Sequence, residues 1–100
     1  MGKIRRLVLD TLKPHDPSII LLSQSLSELP GVEAVNISIY EMDRKVENAK
    51  ITIEGGDVNF EQVSQIIADA GAAIHSIDEV VAGKIIIDDA NTPQDPRQMM

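Results

Sequence analysis

The sequence predicts an α/β sandwich, in which a four-stranded antiparallel sheet carries two helices on one face. Four segments place apolar residues at every second position, as half-buried strands do. Two other segments repeat their apolar residues every three or four positions, which is typical of amphipathic helices. The 100 residues make one domain, and its core must be aliphatic because Tyr40 and Phe60 are the only aromatic residues.

The first half of the chain is predicted to form a strand, a helix and a second strand. Residues 4–13 alternate between two faces, of which one carries Leu7, Leu9 and Thr11 and the other carries Val8, Asp10 and Leu12. We expect Asp16 to be the N-cap of the helix, with Pro17 at its first position and its end near Leu29. Residues 32–42 then alternate as a half-buried strand.

The second half is predicted to form a strand, a helix and a long final strand. Residues 47–54 alternate as the third strand. Asn59 is expected to be the N-cap of the second helix, and Gly71 is its expected C-terminal stop. Residues 74–88 form the final strand, in which the broken alternation at Asp78-Glu79 indicates a β-bulge.

The order of these elements determines the topology. Right-handed crossovers convert a βαββαβ order into an antiparallel sheet of strand order 4-1-3-2 with both helices on one face, the ferredoxin-like arrangement. Residues 1–88 are expected to form this single domain. Residues 89–100 contain two prolines and few apolar residues, so we expect a mobile polar tail that could serve as an arm for a partner.

Composition excludes several classes of function. The formal net charge of −7 disfavours binding to nucleic acid, because an acidic surface repels phosphates. The chain contains no cysteine, which excludes thiolate ligands and disulfides and suits the reducing cytoplasm. Its N-terminal apolar run is too short for a signal peptide or a membrane span.

The predicted topology brings both histidines of the chain to one end of the sheet. His15 follows the first strand, and His75 begins the fourth strand, close to Asp78 and Glu79. Imidazole and carboxylate groups suit a divalent cation such as zinc, manganese, calcium or magnesium, and soft copper(I) is a poor match. Asp10 interrupts an apolar central strand and is a further candidate ligand.

Each candidate ligand also has a purely structural interpretation. His15 is equally consistent with an exposed loop side chain between two prolines, and His75 with a strand side chain bonded to a backbone carbonyl. Asp78 and Glu79 suit a charged edge strand that discourages unwanted pairing. For Asp10 we favour pairing on the open sheet face or across a subunit contact over binding of a cation.

The segment VVAGKIII gives the strongest signal for self-association. An edge strand with apolar side chains on both faces can bury only one face against its own helices, so the other needs a second subunit. The predicted interface residues are Val80, Val81, Ile85, Ile86 and Ile87.

Three long stretches resemble an archaeal family known only as domain of unknown function two hundred and eleven. They are LVLDTLKPHDPSI, GVEAVNISIYEMDRKVENAKITIEG and IHSIDEVVAGK. The resemblance implies a ferredoxin-like fold and a higher homo-oligomer, and it implies no activity. The matching polar or turn positions are Asp10, Lys13, Pro14, His15, His75, Ser76, Asp78, Glu79 and Gly83. LPGV and IADAG also resemble copper-chaperone-like domains, but the two metal cysteines of those domains are absent.

The sequence therefore favours a cytoplasmic homo-oligomeric binding module with no catalytic constellation. One hypothesis is a regulatory or sensor protein that binds a divalent cation or small anion at the histidine end or at a subunit contact. The alternative is a ligand-free scaffold that presents a surface to another protein. A metal-dependent enzyme is the least supported, since it needs three or four ligands and an open position.

Overall fold

The chain folds as βαββαβ in a computed structural model that describes residues 1–90. The elements are β1 (Ile4–Pro14), α1 (Ile19–Ser27), β2 (Val32–Met42), β3 (Val46–Gly55), α2 (Phe60–Asp69) and β4 (Ala73–Ala82). The sheet has the order β2-β3-β1-β4, and every neighbouring pair is antiparallel. The predicted ferredoxin-like α/β sandwich, with strand order 4-1-3-2, is confirmed.

Strand β1 lies in the middle of the sheet and separates two chemically different faces. Leu7 and Leu9 are buried under the helices, as the alternation predicts. Arg6, Val8 and Asp10 alternate with them and therefore lie on the opposite face, termed the open face. This alternation decides which charged groups of β1 enter the core and which meet solvent.

The core is aliphatic and is shared by the sheet and both helices. Its buried residues are Leu7, Leu9, Leu22, Leu26, Ile51, Ile53, Val58, Val63 and Ile67. Each fully buried side chain of this size contributes about 1.5–3 kcal/mol. Neither helix of residues 1–90 is long and apolar enough to cross a membrane.

The helix ends match the prediction for α2 and differ for α1. The side chain of Asn59 caps α2 by accepting a hydrogen bond from the N–H of Gln62, and Gly71 follows the helix with φ of 76°. The prediction of Asp16 as the N-cap of α1 is wrong, because the Ser18 hydroxyl accepts from the N–H of Leu21 and the helix starts at Ile19. The loop therefore extends beyond Pro17 before the helix begins.

The predicted final strand is too long. Strand β4 ends at Ala82, not at residue 88, because Gly83 adopts φ of 134° and turns the chain away from β1. Residues 84–90 contain no helix or strand. Asp88 in this segment binds Arg6 on the open face, so the segment returns to the sheet. Residues 91–100 of the predicted tail lie outside the described residues.

Two β-bulges interrupt β4. Asp10 pairs with Ser76 while Thr11 pairs with Ile74, so His75 is an extra residue on β4. Val8 pairs with Glu79 while Leu9 pairs with Ile77, so Asp78 is a second extra residue, within the predicted bulge at Asp78-Glu79. Because of the bulges, every third residue of β4, and not every second, lies on the helix side of the sheet. These residues are Ile74, Ile77 and Val80, which pair with Thr11, Leu9 and Leu7.

Candidate functional site

A buried ion pair lies where the end of β1 meets the start of β3. Lys13 continues the core-facing positions of β1, and its side chain has no exposed surface. Its ammonium nitrogen lies 3.0 Å from Oε1 of Glu47, the residue directly opposite it in the register. The same nitrogen donates hydrogen bonds to the carbonyls of Pro14 (2.6 Å) and His15 (3.4 Å). The contact with Oε1 is an ion pair that lacks the alignment of a hydrogen bond.

His15 binds the second oxygen of the same carboxylate. Its Nδ1 lies 2.9 Å from Oε2 of Glu47, and its Nε2 lies 2.9 Å from the backbone carbonyl oxygen of Asp43. His15 is predicted to bind a metal or an anion. Such binding would have to replace one of these contacts, since both ring nitrogens already have partners. The carboxylate of Glu47 thus lies between two cationic groups, one from β1 and one from the loop after it.

The turn between β2 and β3 contacts the loop after β1 through the carbonyl of Asp43. The carboxylate of Asp43 accepts hydrogen bonds from the N–H groups of Lys45 (2.7 Å) and Val46 (2.8 Å). These backbone bonds lower the pKa of Asp43, with a smaller contribution from the charge of His15. The turn holds the Asp43 carbonyl towards the imidazole, so the loop and the turn are joined through His15.

The electrostatics of this cluster, termed the Lys13–Glu47–His15 cluster, are mutually reinforcing. The hydrogen bond with Glu47 raises the pKa of His15 above its usual value, and burial opposes this only in part. The bond with His15 and the contacts with Lys13 lower the pKa of Glu47. A histidine with both nitrogens engaged, beside a compensated carboxylate, suits a structural role better than general acid–base catalysis.

A hydrogen-bonded pair of side chains lies on the open face. The hydroxyl of Tyr40 donates a short hydrogen bond to Asp10, which raises the pKa of Tyr40. Lys50 stands opposite Asp10 in the register, as expected. Asp10 is thus paired within the sheet through Tyr40, which the sequence reasoning did not identify as its partner.

Arg6 binds three carboxylates on the open face. It contacts Glu54 at 2.7 Å, and Glu79 and Asp88 at 2.9 Å each. These hydrogen bonds raise the pKa of Arg6 above its usual value, and the bond to Asp88 contributes most to the shift. Glu79, a predicted cation ligand, therefore already has a cationic partner.

The other predicted ligands lie apart from His15. His75 and Asp78 are exposed at the two bulges of β4, whereas His15 contacts groups of β3 and the turn before it, on the other side of β1. The hydroxyl of Ser76 donates to Asp78 at 2.7 Å. Within residues 1–90, no three His, Asp or Glu side chains are arranged to hold a metal ion. A metal site formed from these residues stays a prediction.

The predicted interface residues fall into different environments. Val80 is 51% exposed and lines a surface concavity together with Ile87, whereas Val81 is only 6% exposed. Ile85 and Ile86 border a second concavity near Arg5 and Glu33. Sequence reasoning missed Ile77, which is 50% exposed on β4. Its three-residue spacing from Val80 would have revealed it only if the bulges were known.

Comparison with known proteins agrees with the predicted resemblance. A family model for DUF211, described as "Uncharacterized ArCR", matches residues 5–96. A similar protein is "Uncharacterized protein MJ0319" from Methanocaldococcus jannaschii, which is 52% identical over 95 residues that cover 95% of this chain and 98% of that protein. The match extends from β1 through β4, so it includes the Lys13–Glu47–His15 cluster and the bulged strand. This chain belongs to the DUF211 family.

Proposed function

We propose that this chain is a homo-oligomeric binding module of the cytoplasm, and that its subunits associate along β4. The observation that carries the proposal is a set of exposed apolar side chains along this edge, termed the β4 surface. It consists of Ile77 and Val80 of β4 and of Ile87, which shares a concavity with Val80. Each of these side chains is at least half exposed in the protomer. The cytoplasmic location is supported by the absence of cysteine.

A second copy of the chain is the occupant that we propose for the β4 surface. Strand β4 is the edge of the sheet, with β1 on one side of it and no strand on the other among residues 1–90. Under two-fold symmetry a second copy presents the same apolar side chains, so one contact covers both surfaces without another component. Burial of apolar area supplies the driving force, at about 25 cal/mol per Å².

The association is tested by replacing an exposed apolar residue with a charged one. Native mass spectrometry and sedimentation velocity should show an oligomer for the unmodified chain and mainly monomer for Val80→Lys. Leu21→Lys is the matched control, because Leu21 is 55% exposed on α1 and lies outside the β4 surface. A monomeric unmodified protein at micromolar concentration, or equal dissociation by both variants, would refute the proposal.

We propose that the ligand of this module is a divalent cation, which binds between subunits. His75 and Asp78 are exposed on the strand that carries the β4 surface, so association would place a second set of these groups nearby. Oxygen and imidazole ligands suit zinc, manganese, calcium or magnesium. We do not extend this proposal to an anion near His15, because His15 and Lys13 already bind Glu47.

A ligand-free scaffold is the second candidate function. The observation in its favour is that residues 1–90 hold no metal-binding group of three side chains within one protomer. Native mass spectrometry of protein purified without chelator, before and after EDTA, separates the two candidates. Metal retained by the oligomer and lost in Asp78→Asn supports the cation-binding module, whereas a metal-free oligomer supports the scaffold.

A further inference from the structure

The contacts of His15 lead to an inference that does not depend on the proposed oligomer. Both ring nitrogens face groups that only accept hydrogen bonds, namely the Glu47 carboxylate and the Asp43 carbonyl, each at 2.9 Å. A neutral imidazole carries one N–H and can satisfy only one of them. The geometry therefore requires the doubly protonated, cationic form of His15.

We propose that His15 is a protonation-controlled clamp, which fastens the loop between β1 and α1 to the turn between β2 and β3 while it is charged and releases them when it loses a proton. The two segments are residues 15–18 and 43–46, which lie at the same end of the sheet. The side chain of His15 remains 40% exposed, so solvent can exchange its proton without unfolding of the core.

The charged groups around the imidazole define how the clamp responds to pH. Glu47 from β3 supplies the negative charge, and Lys13 from β1 lies on the far side of that carboxylate. The turn contributes the Asp43 carboxylate and carbonyl and the carbonyl of Arg44. Loss of the His15 proton leaves Glu47 compensated by Lys13, so release of the loop does not leave an unpaired buried charge.

The directions of the pKa shifts of His15 and Glu47 determine how the stability of the clamp changes with pH. The raised pKa of His15 means that its stabilising contribution is complete below the unfolded value of 6.5 and disappears as the pH rises through the folded value. The lowered pKa of Glu47 means that its contribution disappears as the pH falls through its folded value. The clamp is therefore closed in a window between these two titrations.

The test is an NMR titration of the full chain that follows the imidazole of His15 and the backbone amides of both segments. We expect His15 to titrate with a midpoint above 6.5, and the amides of residues 15–18 and 43–46 to shift with that same midpoint. His15→Gln should abolish the shared transition in the turn, and its circular dichroism reports whether it folds. Lys50→Met, which changes an exposed side chain of β3, should leave the transition intact.

The proposal fails if His15 titrates at or below 6.5, or if the turn amides keep their transition in His15→Gln. It also fails if only the loop amides follow the His15 midpoint, because His15 would then not connect the two segments. Lys45→Met, which changes an exposed side chain of the turn, serves as the second control and should preserve the shared midpoint.

Discussion

Replacement of Lys13 by methionine should destabilise the protein far more than the loss of an ordinary surface charge. The substitution keeps an apolar side chain of similar length in the core but removes the ammonium group 3.0 Å from Glu47. It also leaves the carbonyls of Pro14 and His15 without their donor. Breaking a buried ion pair by removing one partner typically costs about 3–5 kcal/mol. We expect a loss near the lower figure, because the protonated His15 remains bound to Glu47 in this variant.

The burial of the Lys13 and Glu47 side chains determines whether the free-energy cost of a buried or of an exposed ion pair applies. The side chain of Lys13 has no exposed surface and that of Glu47 is 9% exposed, so solvent cannot replace the lost partner. An exposed pair would contribute only about 0–1 kcal/mol. A domain of this size has a total stability of about 5–15 kcal/mol, so the loss is a large share of it. At about 4–8 °C per kcal/mol, the melting temperature should fall by about 12 °C or more.

Urea denaturation followed by circular dichroism, at one fixed protomer concentration, measures this loss. Glu47→Leu alone should also be costly, because it leaves Lys13 buried without a counter-charge. The double variant Lys13→Met/Glu47→Leu should be less destabilised than the sum of the single variants, since neither charge then remains in the core. Lys50→Met is the exposed control and should change stability by about 0.5 kcal/mol or less. The buried ion-pair argument would be refuted if the losses of unfolding free energy in the two single variants added up to the loss in the double variant. A loss below about 1 kcal/mol for Lys13→Met would also refute it.

Three other predictions follow from single contacts. Leu26→Ala should cost about 2–5 kcal/mol in urea denaturation, because Leu26 is fully buried in the core, and a loss below about 1 kcal/mol would contradict that packing. Gly31→Ala should be strongly destabilising, since Gly31 has φ of 84° and an added Cβ would lie 2.0 Å from a backbone oxygen, whereas Gly56→Ala meets nothing closer than 3.7 Å and should be tolerated. Asp10→Asn should lower the pKa of Tyr40 towards its usual value in a phenolate absorbance titration, and an unchanged midpoint would show that the Asp10 bond does not raise it.

Most of the fold could be predicted from periodicity, because the two faces of the sheet differ sharply in chemistry. Alternation assigned Leu7 and Leu9 to the core, and local hydrogen-bonding capacity identified Asn59 as a cap. The N-cap of α1 was misassigned because Asp16 and Ser18 both have capping side chains. The choice depends on where the loop leaves β1, and the tertiary contacts of His15 influence that path.

The Lys13–Glu47–His15 cluster was missed although the sequence contains a signal for it. Lys13 continues the alternation that places Leu9 and Thr11 in the core, and Glu47 occupies the corresponding position before Ala49. Opposite charges at core-facing positions of two strands that pair are a sign of a buried ion pair. The role of His15 depends on the conformation of a loop and a turn distant in sequence, which periodicity cannot supply.

The bulges of β4 restrict how subunits could associate through this strand. A regular edge strand offers an unbroken row of backbone donors and acceptors and invites open-ended strand addition. The extra residues His75 and Asp78 interrupt that row, while Ile77 and Val80 remain exposed on the helix side of the sheet. Association along β4 should therefore use side-chain packing more than continuation of the sheet. That mode favours closed oligomers of definite size, because a face that packs under two-fold symmetry is consumed by a single partner.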